Sequence, residues 1–144
     1  GLIQTATGPK VIEFNARFGD PETQVVLARL ESPLSEIISS LLVKEQPTIA
    51  WNELASVGVV VAAEGYPNQY KTNLPLPEMS GETIYYAGVT RSEQALVSAG
   101  GRIFLAEATA STLEEARKKV YQTLDNYSFP GMYYRKDIGV KGLI

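Results

Sequence analysis

Three polar side chains that could bind a ligand or take part in a reaction occur at every second position in the segment VIEFNARFGDPET, residues 11–23. Because successive side chains of a strand point to opposite faces, Glu13, Asn15 and Arg17 would share one face. The residues between them are apolar and would line the other face, namely Ile12, Phe14, Ala16 and Phe18. The pattern therefore predicts a strand over residues 10–18, with one face in a core and a polar row on the other.

The side chains of this polar row suit a metal and an oxyanion. Glu13 offers a carboxylate and Asn15 an amide carbonyl, which are hard oxygen ligands of the kind that Mg²⁺ or Mn²⁺ takes while phosphates and water supply the rest. Arg17 carries a planar guanidinium suited to carboxylate or phosphate oxygens. The row predicts a partial metal–phosphate site. Cross-strand pairing on an exposed face would explain the same residues without any function.

The polar row runs directly into Gly19-Asp20-Pro21-Glu22, which has the composition of a helix start. Asp20 is predicted to be the N-cap, Pro21 the first helical residue and Glu22 an acidic residue of the first turn. Free N–H groups at a helix start favour anions, so the helix and the row could share a ligand. A cap alone would also account for these residues.

The rest of the chain predicts an α+β fold in two units, residues 1–46 and 47–144. The first unit would hold antiparallel strands, over 2–6 and 10–18 with a turn at Gly8-Pro9, and two helices. Apolar residues expected to face the core in these helices are Val25, Val26, Leu27 and Leu30, then Leu34, Ile37, Ile38, Leu41 and Leu42.

The second unit is predicted to be small and β-rich with one helix. Strands are expected at 57–63, 83–89, 94–98 and 102–108, with an irregular loop at 66–82 and a tight hairpin turn at Gly100-Gly101. Thr112 and Glu115 have capping-box spacing, and Leu113, Ala116, Val120 and Leu124 would line the core side of a helix to about residue 125. The aromatic and charged cluster at 133–137 could pack against a neighbouring domain or bind a ligand, and packing is the preferred interpretation.

Composition excludes several classes of function. Cysteine and histidine are absent, which rules out Cys or His nucleophiles, disulfides within the chain and the usual zinc sites. The net charge is −3 with no basic tract, so no nucleic-acid partner is expected. No apolar run approaches the roughly 20 residues that span a bilayer, so no membrane segment is expected. A cytoplasmic location is predicted.

Four segments of the sequence resemble the phosphoribosylamine–glycine ligase family, which belongs to the ATP-grasp enzymes. They are VIEFNARFGDPETQVVLARLESPL from residue 11, VGVVVAAEGYPNQY at 57–70, SAGGRIFLA at 98–106 and YYRKDIG at 133–139. Other ATP-grasp enzymes share the Glu-x-Asn-x-Arg core but do not continue into Phe-Gly-Asp-Pro-Glu. Ala28 and Ala99 depart from the family pattern, and neither belongs to the polar row.

The resemblance implies a C-terminal piece of the ATP-grasp domain at 1–46, followed by a hybrid-motif domain at 47–144. It implies an ATP-dependent joining of glycine to 5-phosphoribosylamine through glycyl phosphate, giving glycinamide ribonucleotide, ADP and phosphate in purine biosynthesis. Glu13 and Asn15 would bind Mg²⁺ or Mn²⁺, Arg17 would act on the glycine carboxylate or acyl phosphate, and Asp20 and Glu22 would face the other substrate.

The same resemblance predicts that the chain is a fragment, inactive alone, without the N-terminal domain and the ATP-clamping lobe. Two alternatives stay open. One is another ATP-grasp ligase or carboxylase with a different acceptor. The other is a non-catalytic β-rich docking module.

Overall fold

A computed structural model describes residues 1–80, 83–93 and 95–143. Gly81, Glu82, Gln94 and Ile144 lie outside the described residues, and with them the end of the predicted loop and the start of the strand predicted at 94–98.

The described elements are three α-helices, eight strands and one 3₁₀ turn, which confirms an α+β fold. The helices are α1 (Glu22–Leu27), α2 (Leu34–Leu42) and α3 (Leu113–Asp125), and the 3₁₀ turn is Val140–Leu143. The strands are β1 (Leu2–Thr5), β2 (Gly8–Val11), β3 (Ala55–Ala63), β4 (Thr83–Tyr86), β5 (Val89–Arg91), β6 (Leu96–Ser98), β7 (Arg102–Ala110) and β8 (Met132–Tyr134).

A four-stranded antiparallel sheet in the order β4-β7-β3-β8 forms the main body of the fold. Val57, Val59 and Val61 of β3 lie opposite small or aromatic residues of β7 and are almost completely buried. Helix α3 covers this face with Ala116, Val120 and Leu124, all at 0% exposure. The predicted strand at 57–63 and the predicted core side of the last helix are thus confirmed.

The predicted cap of α3 is also confirmed. The Thr112 side chain accepts a hydrogen bond from the Glu115 amide at 3.2 Å, which satisfies one of the free N–H groups of the first turn.

The C-terminal tail packs back on α3, so packing of the cluster at 133–137 is confirmed, but its partner is a helix of the same unit rather than a neighbouring domain. The Tyr121 hydroxyl donates to the Arg135 carbonyl at 2.6 Å and accepts from the Ile138 amide at 3.1 Å. Lys136 donates to the Asp125 carboxylate at 2.7 Å, and so does the Tyr134 hydroxyl. These hydrogen bonds, from Lys136 first and Tyr134 second, lower the pKa of Asp125.

The opposite face of β3 receives helix α1. A β-carbon built on Gly58 would lie 2.6 Å from Cγ2 of Val25 and 3.0 Å from Cδ1 of Leu105. Only glycine therefore leaves room for Val25 to sit directly on the β3 backbone. This contact holds α1 against the large sheet.

A second, smaller β layer is formed by β5 and β6, which pair antiparallel. Residues of the proline-rich loop line the other side of β6. Asn73 donates to the Ser98 carbonyl at 2.7 Å, Ser98 donates to the Leu74 carbonyl at 2.9 Å and Leu76 donates to the Leu96 carbonyl at 3.0 Å. The loop is irregular over its described part, as predicted, but its residues near 73–76 are fixed to β6.

The hairpin predicted at Gly100-Gly101 is wrong, because β6 and β7 lie in different sheets. The glycines instead allow close packing of backbone. The Cα of Gly88 lies 3.2 Å from where a β-carbon on Gly100 would be, and the Tyr66 ring fills the same space beside Gly101. Gly88 also interrupts the strand predicted at 83–89, which divides into β4 and β5.

The N-terminal strands form a two-stranded hairpin that is shorter than predicted. Its turn lies at Ala6-Thr7 rather than Gly8-Pro9, and Gly8, at φ +99°, already pairs with Thr5. β2 ends at Val11, opposite Leu2. The predicted strand over 10–18 is thus wrong beyond Val11. Gly1 still hydrogen-bonds the backbone of Ile12 and Glu13, but no described strand offers its backbone to residues 14–18.

Most of the core predicted for the first unit is exposed. Phe14 is 90% exposed and Phe18 66%, and in α2 only Ile37 is buried. Ile38, Leu41 and Leu42 are 46%, 58% and 79% exposed. These corrections share one cause, which is that no described element packs against the apolar faces of residues 12–18 and of α2. Among the described residues, no helix is long and apolar enough to cross a membrane.

Candidate functional site

The polar row lies in the connection between β2 and α1, where all three of its side chains are exposed. Glu13 and Asn15 are brought together: the Asn15 side-chain amide lies 3.4 Å from Oε1 of Glu13. The structure thus keeps these two side chains on one side of an irregular segment. Its start is paired with Gly1, whose amino group donates to the Glu13 carbonyl at 2.8 Å and whose carbonyl accepts from the Ile12 amide at 2.8 Å. In this arrangement the Asn15 amide nitrogen faces Glu13, and a half-turn of the amide group would bring its oxygen to the side of the Glu13 carboxylate.

Arg17 does not join that pair. Its guanidinium donates to the carbonyl of its own neighbour, Phe18, at 3.1 Å. The exposed guanidinium can turn toward an anion at little cost, since this local hydrogen bond is the only one it makes among the described residues.

Asp20 is not the N-cap of α1, which corrects the prediction. The helix begins at Glu22, the preceding residue is Pro21, and no side chain caps it. The Asp20 carboxylate is instead engaged by Arg102, with Nη2 and Oδ2 3.2 Å apart. A charged guanidinium is a stronger partner for a carboxylate than a backbone amide.

Helix α1 also offers no anion site of its own. It has only six residues. At its start the Thr23 amide is satisfied by the Gly19 carbonyl at 3.0 Å, and the Thr23 hydroxyl donates to the same oxygen. The predicted sharing of a ligand between the row and this helix start is therefore not supported by the structure.

Glu22 is exposed and folds its carboxylate back over Gly19, into the space that a β-carbon on that glycine would occupy. Glu22 is thus close in the chain to Asp20 but turned toward the segment that carries the polar row. Glycine at position 19 is what makes this arrangement possible.

The donor set limits the kind of metal site that the row could form. The described residues contain no group of three or more carboxylate, histidine or cysteine side chains that could hold a metal ion. A cation at Glu13 and Asn15 would therefore take two protein oxygens and depend on phosphate or water for the rest. That chemistry fits Mg²⁺ or Mn²⁺ accompanying a nucleotide.

Arg102 is the residue of this region that sequence reasoning missed. It is the first residue of β7 and contacts Asp20 across 82 positions of the chain. No periodicity or spacing links two residues so far apart. Only the packing of α1 against the sheet brings them together.

Comparisons with known proteins agree on one family. The family described as phosphoribosylglycinamide synthetase, C domain, matches residues 56–141. A phosphoribosylamine–glycine ligase from Halalkalibacterium halodurans is 50% identical over 147 residues, covering 99% of this chain and 34% of the relative. The ligase of Lactococcus lactis is 49% identical over 146 residues, covering 99% of this chain and 35% of the relative.

A solved structure supports the same assignment. The crystal structure of phosphoribosylamine–glycine ligase from Thermotoga maritima matches with a TM-score of 0.84 and 30% identity, over 95% of this chain and 35% of that chain. The chain thus spans about a third of the length of the relatives it matches. It belongs to the family of phosphoribosylglycinamide synthetase C domains.

Proposed function

We propose that this chain forms part of an ATP-dependent ligase that joins glycine to 5-phosphoribosylamine. The products would be glycinamide ribonucleotide, ADP and phosphate, as in purine biosynthesis, and a cytoplasmic location belongs to the same proposal. The observation that carries it is the Glu13–Asn15 pair, exposed and 3.4 Å apart, in a chain that is matched over 99% of its length by phosphoribosylamine–glycine ligases.

In this proposal the polar row handles the phosphates. Glu13 and Asn15 would hold Mg²⁺ or Mn²⁺, which would neutralise charge on the phosphates of ATP. Arg17 would use its free guanidinium edge to orient the glycine carboxylate and to stabilise the acyl phosphate formed from it. Asp20 and Glu22 would face the amine substrate, with Asp20 using the carboxylate oxygen that Arg102 does not occupy.

The remaining machinery would come from outside the described chain. Leu2, Ile3, Phe14, Leu41 and Leu42 are each more than half exposed. A set of large apolar side chains exposed to this degree calls for a partner in contact with it. We infer that it is covered by the N-terminal domain and the ATP-clamping lobe of a complete ligase, and that the boundary near residue 46 separates the catalytic part from the β-rich part.

The second candidate function applies to the β-rich part. The matched family region, residues 56–141, does not include the polar row. Under this alternative, residues 47–144 would act as a docking module that supports an active site formed by other residues. Under this alternative, changes at Glu13 and Asn15 would not affect any activity.

The experiment uses a chimeric ligase in which residues 1–144 replace the matching segment of the Halalkalibacterium halodurans relative. Glycinamide ribonucleotide formation is measured across a Mg²⁺ titration for the unchanged chimera, for Glu13→Gln and for Asn15→Ala. Glu36→Gln, on the exposed side of α2, is the matched control. We expect both row variants to need more Mg²⁺ and to turn over more slowly, with thermal stability within about 0.5 kcal/mol because exposed substitutions rarely cost more.

Three results would contradict the proposal. An unchanged chimera that makes no glycinamide ribonucleotide removes the reaction. Row variants with normal rates at every Mg²⁺ concentration remove the metal assignment and favour the docking module. Equal turnover with an amine acceptor other than phosphoribosylamine favours another ATP-grasp ligase.

The role of Arg17 is tested by Arg17→Lys, which keeps the charge and loses the planar fork. We expect a large fall in kcat with unchanged stability, whereas Arg91→Lys on exposed β5 should have no effect. An Arg17→Lys chimera with full kcat would show that the guanidinium does not hold an oxyanion.

A further inference from the structure

Arg102 makes two contacts with one residue of the candidate site. Its Nη1 donates to the Asp20 carbonyl at 2.8 Å, and its Nη2 lies 3.2 Å from Oδ2 of the same residue. The two side chains are 40% and 47% exposed. A surface ion pair of this kind contributes little to stability, so its geometry is of more interest than its strength.

The two contacts fix both the backbone and the side chain of Asp20. The guanidinium is planar with donors at fixed angles, so simultaneous contacts to a carbonyl and a carboxylate define an orientation. A lysine ammonium on its flexible stem could replace the charge but would leave one contact or the other undefined. The second carboxylate oxygen, Oδ1, has a weaker neighbour, the Gln24 side-chain amide at 3.4 Å.

The backbone of Arg102 is hydrogen-bonded within the sheet, which gives its side chain a defined starting point. Arg102 pairs with Ala62 across the β3–β7 ladder, directly after a shift of register between Val61 and Ala62. Its carbonyl accepts a hydrogen bond from the Gly88 amide at 3.0 Å. Groups held on strands of a sheet are positioned more accurately than groups on a loop.

The segment that Arg102 contacts has little other support beyond Glu13, where the Gly1 backbone hydrogen-bonds it. Residues 12–19 belong to no strand or helix, and the side chains from Ile12 to Phe18 are exposed. The turn at Gly19-Asp20 is the point where this segment joins α1. A contact that fixes Asp20 therefore also limits where Arg17, three residues earlier, can reach.

We propose that Arg102 is a positioning residue: from the β-rich part it fixes the Gly19–Pro21 turn, so that Asp20 and Arg17 are held where the substrates bind. It touches no substrate itself. This inference depends on the proposed ligase function, because the positions that matter are those of the substrate-binding residues. Glu13 and Asn15 lie further from the turn in the chain and should be less affected.

The kinetic test uses the chimeric ligase with Arg102→Ala, Arg102→Lys and the control Arg91→Ala. We expect KM for phosphoribosylamine and glycine to rise, and kcat/KM for both to fall by roughly tenfold or more, as small misplacements do. KM for ATP should stay within about twofold, since the phosphate-handling pair is not anchored by Arg102. The lysine variant should not restore the loss.

A second readout does not depend on activity. Trypsin can cut after Arg17, in the exposed segment next to the turn, and local opening sets the cutting rate. In the 144-residue chain we expect Arg102→Ala to speed cleavage at Arg17 several-fold, with Arg91→Ala cutting at the unchanged rate.

The two readouts separate the possible failures. If the unchanged chimera is inactive, the proposed function is wrong, and the positioning role in that reaction falls with it, whatever the cleavage rates show. If the chimera is active but Arg102→Ala leaves all KM values unchanged, the positioning inference is overturned while the function stands. A fall in kcat with every KM unchanged, together with faster cleavage at sites throughout the chain rather than at Arg17 alone, would mean that Arg102 only supports folding.

Discussion

The packing of α1 against strand β3 can be tested with the Gly58→Ala variant. The added β-carbon would lie 2.6 Å from Cγ2 of Val25 and 3.0 Å from Cδ1 of Leu105. Val25 is β-branched and stiff, and Leu105 is 3% exposed, so neither can withdraw freely. Overpacking of this kind costs about 1–3 kcal/mol, and replacing a strand glycine returns about 0.5 kcal/mol or more. We expect a net loss of about 1–2 kcal/mol, or roughly 3–6 °C in Tm at this chain length.

The assay is urea unfolding of the 144-residue chain, followed by circular dichroism, in a double-mutant cycle with Val25→Ala. Val25 is half-buried, so Val25→Ala alone should cost about 1 kcal/mol. It removes the methyl group in closest contact, so the double variant should be more stable than the sum of the two losses by about 0.5–1 kcal/mol.

The matched control is a cycle with Val43→Ala, at the exposed end of α2, which should be additive. If Gly58→Ala is neutral, or if the Val25 cycle is also additive, α1 does not sit on β3 as described.

Three further predictions concern the last helix and the tail that packs on it. Thr112→Ala should cost about 1 kcal/mol of unfolding free energy in urea titration, because the Glu115 amide loses its acceptor, whereas Thr112→Ser should cost little; equal losses would contradict the cap. Tyr121→Phe should cost about 1–2 kcal/mol, because the Arg135 carbonyl and Ile138 amide both lose a partner; exposed Tyr86→Phe is the control, and a Tyr121 variant as stable as that control would contradict the contact. The pKa of Asp125 is lowered in the folded chain, so its stabilising effect is present above the ordinary value of about 3.9 and is lost as the pH falls below it. Asp125→Asn should therefore flatten the acid side of the curve of urea midpoint against pH, and an unchanged curve would refute the ion pair.

Local patterns predicted those elements whose partners lie within the chain. The β-branched run ending at Ala63 pairs with β7, and the apolar side of α3 packs against the buried face of the sheet. Both elements could be predicted from periodicity because their partners belong to the same chain. The cap at Thr112 is local, and residue types alone define it. Packing of the tail cluster follows from its aromatic composition, although its partner, α3, does not.

The predictions that were wrong relied on surfaces or contacts that no short segment contains. Alternation at residues 12–18 favours a strand, but a strand needs a partner backbone, and among the described residues the Gly1 backbone pairs with Ile12 and Glu13 and goes no further. The same is true of Ile38 and Leu41, whose helix is amphipathic without being covered. Asp20 is a residue type typical of an N-cap, yet its carboxylate forms an ion pair with Arg102, which lies 82 residues away in the chain.

For the candidate site, spacing predicted that Glu13 and Asn15 would lie side by side, and they do at 3.4 Å. Spacing did not predict that Arg17 would bond to its neighbour. The metal and substrate roles of these residues stay predictions until the Mg²⁺ titration is made.

The loop residues that line β6 have a consequence for solubility. A strand with an unpaired side is a template for another chain, and β6 has β5 on one side and residues 73–76 on the other. Pro75 and Pro77 have no N–H to offer, so the outer side of this cover cannot continue a hydrogen-bonded ladder. The prolines thus end the small sheet at this edge and protect this edge against pairing with another chain.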